Sequence, residues 1–466
     1  MKIKIRKLSY EQVLQKPKPE NKPPRPPKRI FQALVRFLAR KDLKETNFTY
    51  TEKRMEEAGE GPWLILMNHS CFLDLEIASA IFYPKSYCIV CTSDGFVGKE
   101  WLMRQLGCIP TQKFVSDINL VKDMETALKQ NASLLMYPEA SYSFDGCATP
   151  LPSHMGRLFK RLDVPVVSVH TEGAFARDPL YNGLRKRKVK VSATVSCLLT
   201  REEIREKPVE ELDAILEREF TYDSFAWQRD NGVEINEPFR ADGLERILFR
   251  CAHCRTEGQM KGRGTKLYCH ACGKQYEMTP LGQLQAVSGE TEFPHIPDWF
   301  RWEREQVRQE LLDGTYSMDI PVRIGVMVDY KAIYMVGRGR LQHNADGFRL
   351  EGCNGKLSYT QKPLASYSVY SDYYWYEIGD VICIGNKDRL YYCFPESRAS
   401  VAKIRMAAEE LFRRAGLPGR MIPVPSQIAA GCGLAWKALP QERDALCTAL
   451  DTATVGHNGC FTLEMY

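Results

Sequence analysis

The chain has 466 residues, of which 44% are hydrophobic and 26% charged, with a net charge of +6. That length exceeds what one hydrophobic core usually serves, so about two to four domains are expected. So modest a charge carries no nucleic-acid signature, and no stretch approaches the ~20 uninterrupted apolar residues of a membrane span.

The charge is unevenly spread. Up to Lys44 there are fourteen Lys and Arg against Glu11, Glu20 and Asp42, a basic arm that suits an anionic surface. "MKIKIRKLSY" is not followed by an apolar segment, so it does not read as a secretory signal. Four of the sixteen cysteines form two close pairs and the rest are scattered, a pattern of reduced thiols plus a metal site. The compartment expected from this is the cytoplasm.

"QKPKPENKPPRPPKR" (15–29) is extended and too polar to fold alone. In "RIFQALVRFLARK", Ile30, Phe31, Leu34, Val35, Phe37 and Leu38 can share one helical face, flanked by Arg29, Arg36, Arg40 and Lys41. Such a helix can pack on its own domain or lie in a membrane interface with its cations on lipid phosphates, and the two are compatible. From Gly61 to Cys197 the apolar runs "LILM", "YCIVC", "ASLLMYP", "VPVVSVH" and "KVKVSATVSCLL" alternate with helical patterns. That order argues an α/β layer fold. "TREEIREKPVEELDAILEREF" opens with a Thr-x-x-Glu capping box and closes the domain with a helix.

Within "PWLILMNHSCFLDLEIASAIF" (62–82), Asn68, His69 and Asp74 interrupt the apolar run. On one regular helix His69 and Asp74 would lie about 140° apart and could not meet. They meet if "WLILM" is a strand, "NHS" a turn, and Asp74 belongs to the following helix. A histidine held by a carboxylate in a partly dry cleft is a general base. The plainer reading is that Asn68 or Ser70 caps the helix and His69 is a turn residue.

This stretch resembles the His-x-x-x-x-Asp motif of the glycerolipid acyltransferases, the family of 1-acyl-glycerol-3-phosphate acyltransferases, and three further blocks follow in order. "GFVGKEWLMRQLGCIPTQK" (95–113) is similar to the second, "YPEASYSFDG" (137–146) to the third and "VPVVSV" (164–169) to the fourth. The resemblance covers Ile30 to Asn236. It implies transfer of a fatty acyl group from an acyl thioester, acyl-CoA or acyl carrier protein, to a hydroxyl of a lysolipid. The family's acceptor is 1-acyl-glycerol-3-phosphate, and the role is in phospholipid synthesis. It also implies that His69 takes the hydroxyl proton, Asp74 orients His69, and Glu139 and Ser141 help bind the acceptor. No acyl-enzyme is involved.

Two departures bear on the acceptor. Ala140 and Tyr142 stand where the family has Gly and Arg, and the second block ends in Gln112 and Lys113 where an Arg is common. Lys99, Lys113, Arg157 and Lys160 are the candidates to supply the missing charge. The rival reading is a catalytically weak acyltransferase-like protein that binds lipid or a carrier protein.

"CAHC" (Cys251, Cys254) and "CHAC" (Cys269, Cys272) are two Cys-x-x-Cys hooks fourteen residues apart, the pattern of a four-thiolate structural zinc ribbon. His253 and His270 lie inside the hooks as bystanders. The ribbon is basic, yet no aromatic-interleaved basic strip elsewhere supports a nucleic-acid partner. About seven strand-like runs from Ser317 to Pro395, followed by an amphipathic helix, resemble a pleckstrin-homology-like barrel. The end of the chain, with "IPVP" and "AGCGLAW", resembles a selenium- or sulfur-carrier-like domain. There Cys432, between two glycines, is either an exposed thiol carrier or an ordinary buried cysteine.

The expected organisation is a basic arm (1–28), an α/β acyltransferase domain (29–240), a zinc ribbon (243–285), a β-rich PH-like domain (298–395) and a small α/β carrier-like domain (396–466). The helix near 397–415 is shared between the last two. The expected location is the inner membrane's cytoplasmic face, held peripherally.

Overall fold

The computed structural model describes residues 3–115, 117–152, 154–396, 400–415, 420–423, 434–437 and 442–452. The chain is mixed α/β with several sheets. Its strands are β1 (Ile5–Lys7), β2 (Thr49–Lys53), β3 (Leu64–Met67), β4 (Tyr87–Thr92), β5 (Cys108–Thr111), β6 (Ser133–Met136), β7 (Val166–Glu172) and β8 (Ser192–Leu199) in the first half. Four short strands follow, β9 (Met260–Arg263), β10 (Lys266–Cys269), β11 (Gln275–Met278) and β12 (Leu284–Ala286). The β-rich stretch holds β13 (Met318–Met327), β14 (Ile333–Asn344), β15 (Gly347–Gly352), β16 (Leu357–Gln361), β17 (Tyr370–Trp375), β18 (Gly379–Asn386) and β19 (Arg389–Pro395).

Seven strands form the first sheet in the order β2-β8-β7-β3-β6-β4-β5. β3 sits at its centre, parallel to β6 and β7, and β4 runs parallel to β6. All four residues of "LILM" are buried, as a central parallel strand covered on both faces requires. Alternation then divides them. Leu64 and Leu66 pack with Phe159, Ile204 and Leu212, while Ile65 and Met67 pack with Leu73, Ile77 and Phe82.

Because β3, β4, β5 and β6 are parallel, their carboxyl ends open on one edge. The loops after Met67, Thr92, Thr111 and Met136 are therefore brought together, the place where open α/β sheets bind ligands.

The five expected strands of this domain are all present, and the Thr200–Glu203 capping box forms as expected. Pro208 divides the expected closing helix into Arg201–Glu206 and Val209–Glu219. The sequence pattern does not single out β2 and β5. Both are edge strands, the first fully exposed and the second containing Pro110, so neither carries a strong apolar period.

The β-rich stretch contains the expected seven strands, in the order β16-β15-β14-β13-β19-β18-β17, and the helix Val401–Ala415 packs on them. β1 is added parallel to β14, pairing Ile5 with Ile333. Tyr10 and Val13, on the short helix Tyr10–Leu14, are buried with it. The basic arm is thus anchored by the few apolar residues scattered among its lysines.

Between the two large sheets lie the four-stranded ribbon β12-β11-β10-β9 and the helix Ile296–Leu312. Trp299 is fully buried there, 5.1 Å from the Tyr276 ring, and donates its indole N–H to the Arg250 carbonyl at 3.0 Å. An ion network crosses the same seam: Arg250 contacts Glu257 and Glu310, and Lys403 Nζ lies 2.8 Å from each of those carboxylates. Trp299 removes a large apolar surface from water and satisfies a carbonyl. Trp299→Ala is therefore expected to cost about 3–5 kcal/mol, measured as a shift in the urea denaturation midpoint.

Candidate active site

β3 ends at Met67, and the next residue clamps the edge of the sheet. Asn68 Oδ1 accepts from the Thr171 amide at 2.8 Å, and its Nδ2 donates to the Thr171 carbonyl at 3.1 Å. Asn68 is therefore no helix cap, and Ser70 is not one either. The helix Leu73–Phe82 has no capping side chain at its N-cap, Phe72. Asp74, in the first turn, instead reaches back to brace the loop before the helix: its Oδ2 accepts the amides of Ser70 at 2.8 Å and Cys71 at 3.1 Å.

The same oxygen lies 3.0 Å from His69 Nδ1. Strand, turn and helix thus bring the two together in the way their five-residue spacing allows. Asp74 is wholly buried, and burial pushes its carboxyl up to about 7 against the pull of the two amides. Burial, followed by the nearby Lys113 cation, holds the His69 ring well below the usual imidazole range, so it stands neutral. With Nδ1–H given to Asp74, Nε2 is the free acceptor.

The imidazole lies between two tyrosines, its centroid 3.9 Å from that of Tyr137 and 4.3 Å from that of Tyr142. The Tyr137 hydroxyl, Ser141 Oγ and Asp74 Oδ1 are buried without a hydrogen-bond partner in the protein. Buried polar atoms are rarely left so, and two of these three belong to residues in contact with the His69 ring.

Glu139 is fully buried. Its Oε2 accepts the His69 amide at 3.0 Å, and its Oε1 accepts the Thr149 amide at 2.9 Å and the Tyr222 hydroxyl at 2.8 Å. The carboxylate is therefore committed to bracing the turn that carries His69. Next to it, Ala140 holds a left-handed φ of +56°, a conformation glycine adopts without strain.

Lys113 follows β5, and its Nζ lies 4.3 Å from the Tyr370 ring centroid, with Asp372 and Asp94 as the nearest opposing charges. Lys99 is more peripheral, 5.7 Å from the Tyr376 ring centroid. Lys160 donates to the carbonyls of Ile204 and Arg205, on the opposite side of the sheet domain from this cluster.

The β-rich stretch also contributes residues near Lys113 and the third motif. The Tyr370 hydroxyl and the Trp375 indole both donate to Asp94, at 2.9 and 3.2 Å. Tyr373 packs 4.8 Å from Phe144. Nothing in the local pattern of "YSDYYW" connects it to a motif more than two hundred residues earlier.

Residues 44–172, which contain His69, Asp74, Lys113 and Glu139, match the family model described as Acyltransferase. This chain carries an acyltransferase domain. Residues 405–461 match the family described as Se/S carrier protein-like. Cys432 falls in that segment and outside the described residues. Comparison with curated proteins finds no match. Among solved structures, the 1-acyl-sn-glycerophosphate (LPA) acyltransferase PlsC from Thermotoga maritima is similar at 15% identity. The match covers 41% of this chain and 81% of that one, with a TM-score of 0.31.

A second centre lies in the ribbon. The sulfurs of Cys251, Cys254, Cys269 and Cys272 all lie within 4.8 Å of one another. Cys251 and Cys272 are 3.8 Å apart, Cys254 and Cys269 3.7 Å. Four sulfurs about 2.3 Å from a tetrahedral ion are about 3.8 Å from each other, so the thiols fit such an ion. Each hook turns on a left-handed residue, Arg255 in the first and Gly273 in the second. His253 contacts Glu292 at 3.0 Å, away from the sulfurs. One bound metal ion per chain is expected by elemental analysis. Cys251→Ser should abolish it and lower the melting temperature, as should a strong chelator.

Proposed function

We propose that the chain is an O-acyltransferase that moves a fatty acyl group from an acyl thioester to a lysolipid hydroxyl. The observation that carries this is the His69–Asp74 pair, a partly exposed imidazole 3.0 Å from a buried carboxylate, within a segment that matches the Acyltransferase family. His69 Nε2 takes the proton as the hydroxyl oxygen attacks the thioester carbonyl. The tetrahedral intermediate then expels the thiolate, which recovers that proton as a thiol. Asp74 fixes the tautomer and stabilises the imidazolium that forms. Of the buried thiols at this turn, Cys71 is pushed far up by burial and is no nucleophile.

The donor is read as acyl-CoA or acyl carrier protein, and the first acceptor to test is 1-acyl-glycerol-3-phosphate. Ser141, with its unpaired hydroxyl, and Lys113 are the acceptor-binding candidates beside His69. Glu139 acts as a positioning residue. Zinc is the proposed ion of the four-thiol ribbon, with all four positions filled by protein and a purely structural role.

The helix Arg29–Glu45 supports a peripheral membrane location. Ile30, Phe37 and Leu38 are 73, 62 and 65% exposed, and Trp101, 67% exposed, stands beside Phe31. Arg29, Arg36, Arg40 and Lys41 lie among them, which suits an anionic lipid surface. Among the described residues no helix is long and apolar enough to cross a membrane. Wild-type protein should float with vesicles containing phosphatidylglycerol, and the Phe37→Glu/Leu38→Glu variant should remain at the bottom of the gradient.

The second reading, a lipid-binding protein with weak catalysis, is favoured by Tyr142 lying against the His69 ring. Product analysis by mass spectrometry, with thioester donors and a lysolipid panel, separates the two. New acylated lipid from the wild type, reduced about 10²–10⁴-fold in His69→Ala and Asp74→Asn, supports catalysis. Lipid binding without product by any protein supports the second reading. For the enzyme, the Asp74 pKa near 7 has a defined sign: acidification protonates the carboxyl and weakens its support of the imidazolium. The kcat/KM should therefore fall as pH drops below about 7, and Asp74→Asn should remove that limb.

A further inference from the structure

Behind the third motif, and lined in part by its Phe144 and Asp145, lies a cavity of about 240 Å³. One wall is the loop from Phe144 to Pro150. The others are the faces of two helices that lie outside the acyltransferase-matching segment, Ile296–Leu312 and Val401–Ala415. Ala402, Arg405, Met406 and Glu409 recur at intervals of three and four residues, so one face of the second helix lines the space. Phe300 and Arg304 do the same from the first.

Two guanidiniums converge on one carboxylate, and Glu410 and Asp145 add acidic charge near Arg304. Arg405 Nε donates to Glu409 Oε1 at 3.0 Å, and Arg304 Nη1 lies 2.8 Å from Glu409 Oε2. Ser368 also donates to Glu409, at 2.8 Å. One carboxylate therefore serves two guanidiniums, each with five N–H donors and a permanent charge. Asp145, the other carboxylate at the cavity, accepts the Cys147 amide, and burial raises its pKa while the Arg304 cation opposes that shift. Arg301 also lines the space and is held by Asp298, one turn away on its own helix. The Arg405 guanidinium lies 4.6 Å from the Phe144 ring centroid, which fixes its plane.

We propose that this cavity is a phosphate-ester subsite, in which Arg304 and Arg405 grip the anion and Phe144, Phe300 and Met406 bound the carbon skeleton attached to it. Paired guanidiniums present the planar forks that match phosphate oxygens. The volume exceeds the ~150 Å³ of a cavity that admits benzene, so a phosphate with a short carbon chain fits. Thr149 lines the cavity and donates to Glu139, whose other oxygen takes the His69 amide, so cavity wall and catalytic turn share one carboxylate. On the acyltransferase reading, the anion is the acceptor's head-group phosphate or the donor's pantetheine phosphate.

The test is equilibrium titration of the full, metal-loaded chain with sn-glycerol 3-phosphate, 4′-phosphopantetheine and inorganic phosphate, beside glycerol and pantetheine. Saturable binding of at least one ester, absent for its dephosphorylated partner and at least tenfold weaker in Arg304→Gln, is expected. The ester preferred assigns the subsite to acceptor or donor. Should Arg304→Gln fail to fold, Arg304→Lys keeps the charge but loses the fork and should still weaken binding severalfold. No saturable binding of either ester to wild type, or undiminished affinity in the folded variants, overturns the proposal. No acyl donor is present in this titration, so its failure leaves the His69 chemistry standing. Conversely, an inactive wild type that binds the esters sinks the transferase reading alone.

Discussion

The Glu139 carboxylate joins the two loops on which the site depends. It sits at the carboxyl end of β6, beside β3, and accepts the amide of His69 with one oxygen and the amide of Thr149 with the other. Burial pushes it up to about 7, while its amide and hydroxyl donors pull the other way. Removing the acceptor would orphan two amides and the Tyr222 hydroxyl, at about 1–3 kcal/mol each. Part of that cost would fall on the position of His69, whose backbone amide has Glu139 as its acceptor. The carboxylate's observed work is thus structural: it holds the His69 turn and the Thr149 loop together.

Two kinds of information were available in the sequence to different degrees. The His69–Asp74 pair was legible because strand, turn and helix are local, and only that sequence of elements lets residues five apart meet. The Cys hooks were legible because metal coordination dictates spacing. The roles of Asn68 and Glu139 were not. Asn68 reads as a cap in one dimension, but the neighbouring strand β7 offers Thr171 as a better partner. Glu139 reads as a substrate ligand until its burial and three donors are seen. The contribution of Tyr370 and Tyr373 was invisible, because it depends on how a sheet two hundred residues away docks.

That docking changes the character of the second motif. Lys113 is confined under the Tyr370 ring, close to two acidic side chains, one from each half of the chain. Desolvation lowers the pKa of its ammonium, and the carboxylates oppose that shift. A lysine held in this way offers a compact point charge rather than a fork. The surroundings of Lys113 are thus built jointly by the α/β sheet and by β17.

The first strand adds a constraint in time rather than in space. β1 precedes its partner, β14, by more than three hundred residues. At about 5–20 residues per second, the ribosome needs roughly 15–70 s to supply that partner. Through that interval Ile5 to Lys7 have no ladder to join, and Tyr10 and Val13 have no core to enter. The surrounding lysines and prolines keep such a waiting segment soluble and disinclined to pair elsewhere. The basic, proline-rich composition around β1 thereby suits the order of assembly: a strand made early is fastened only when one made much later arrives.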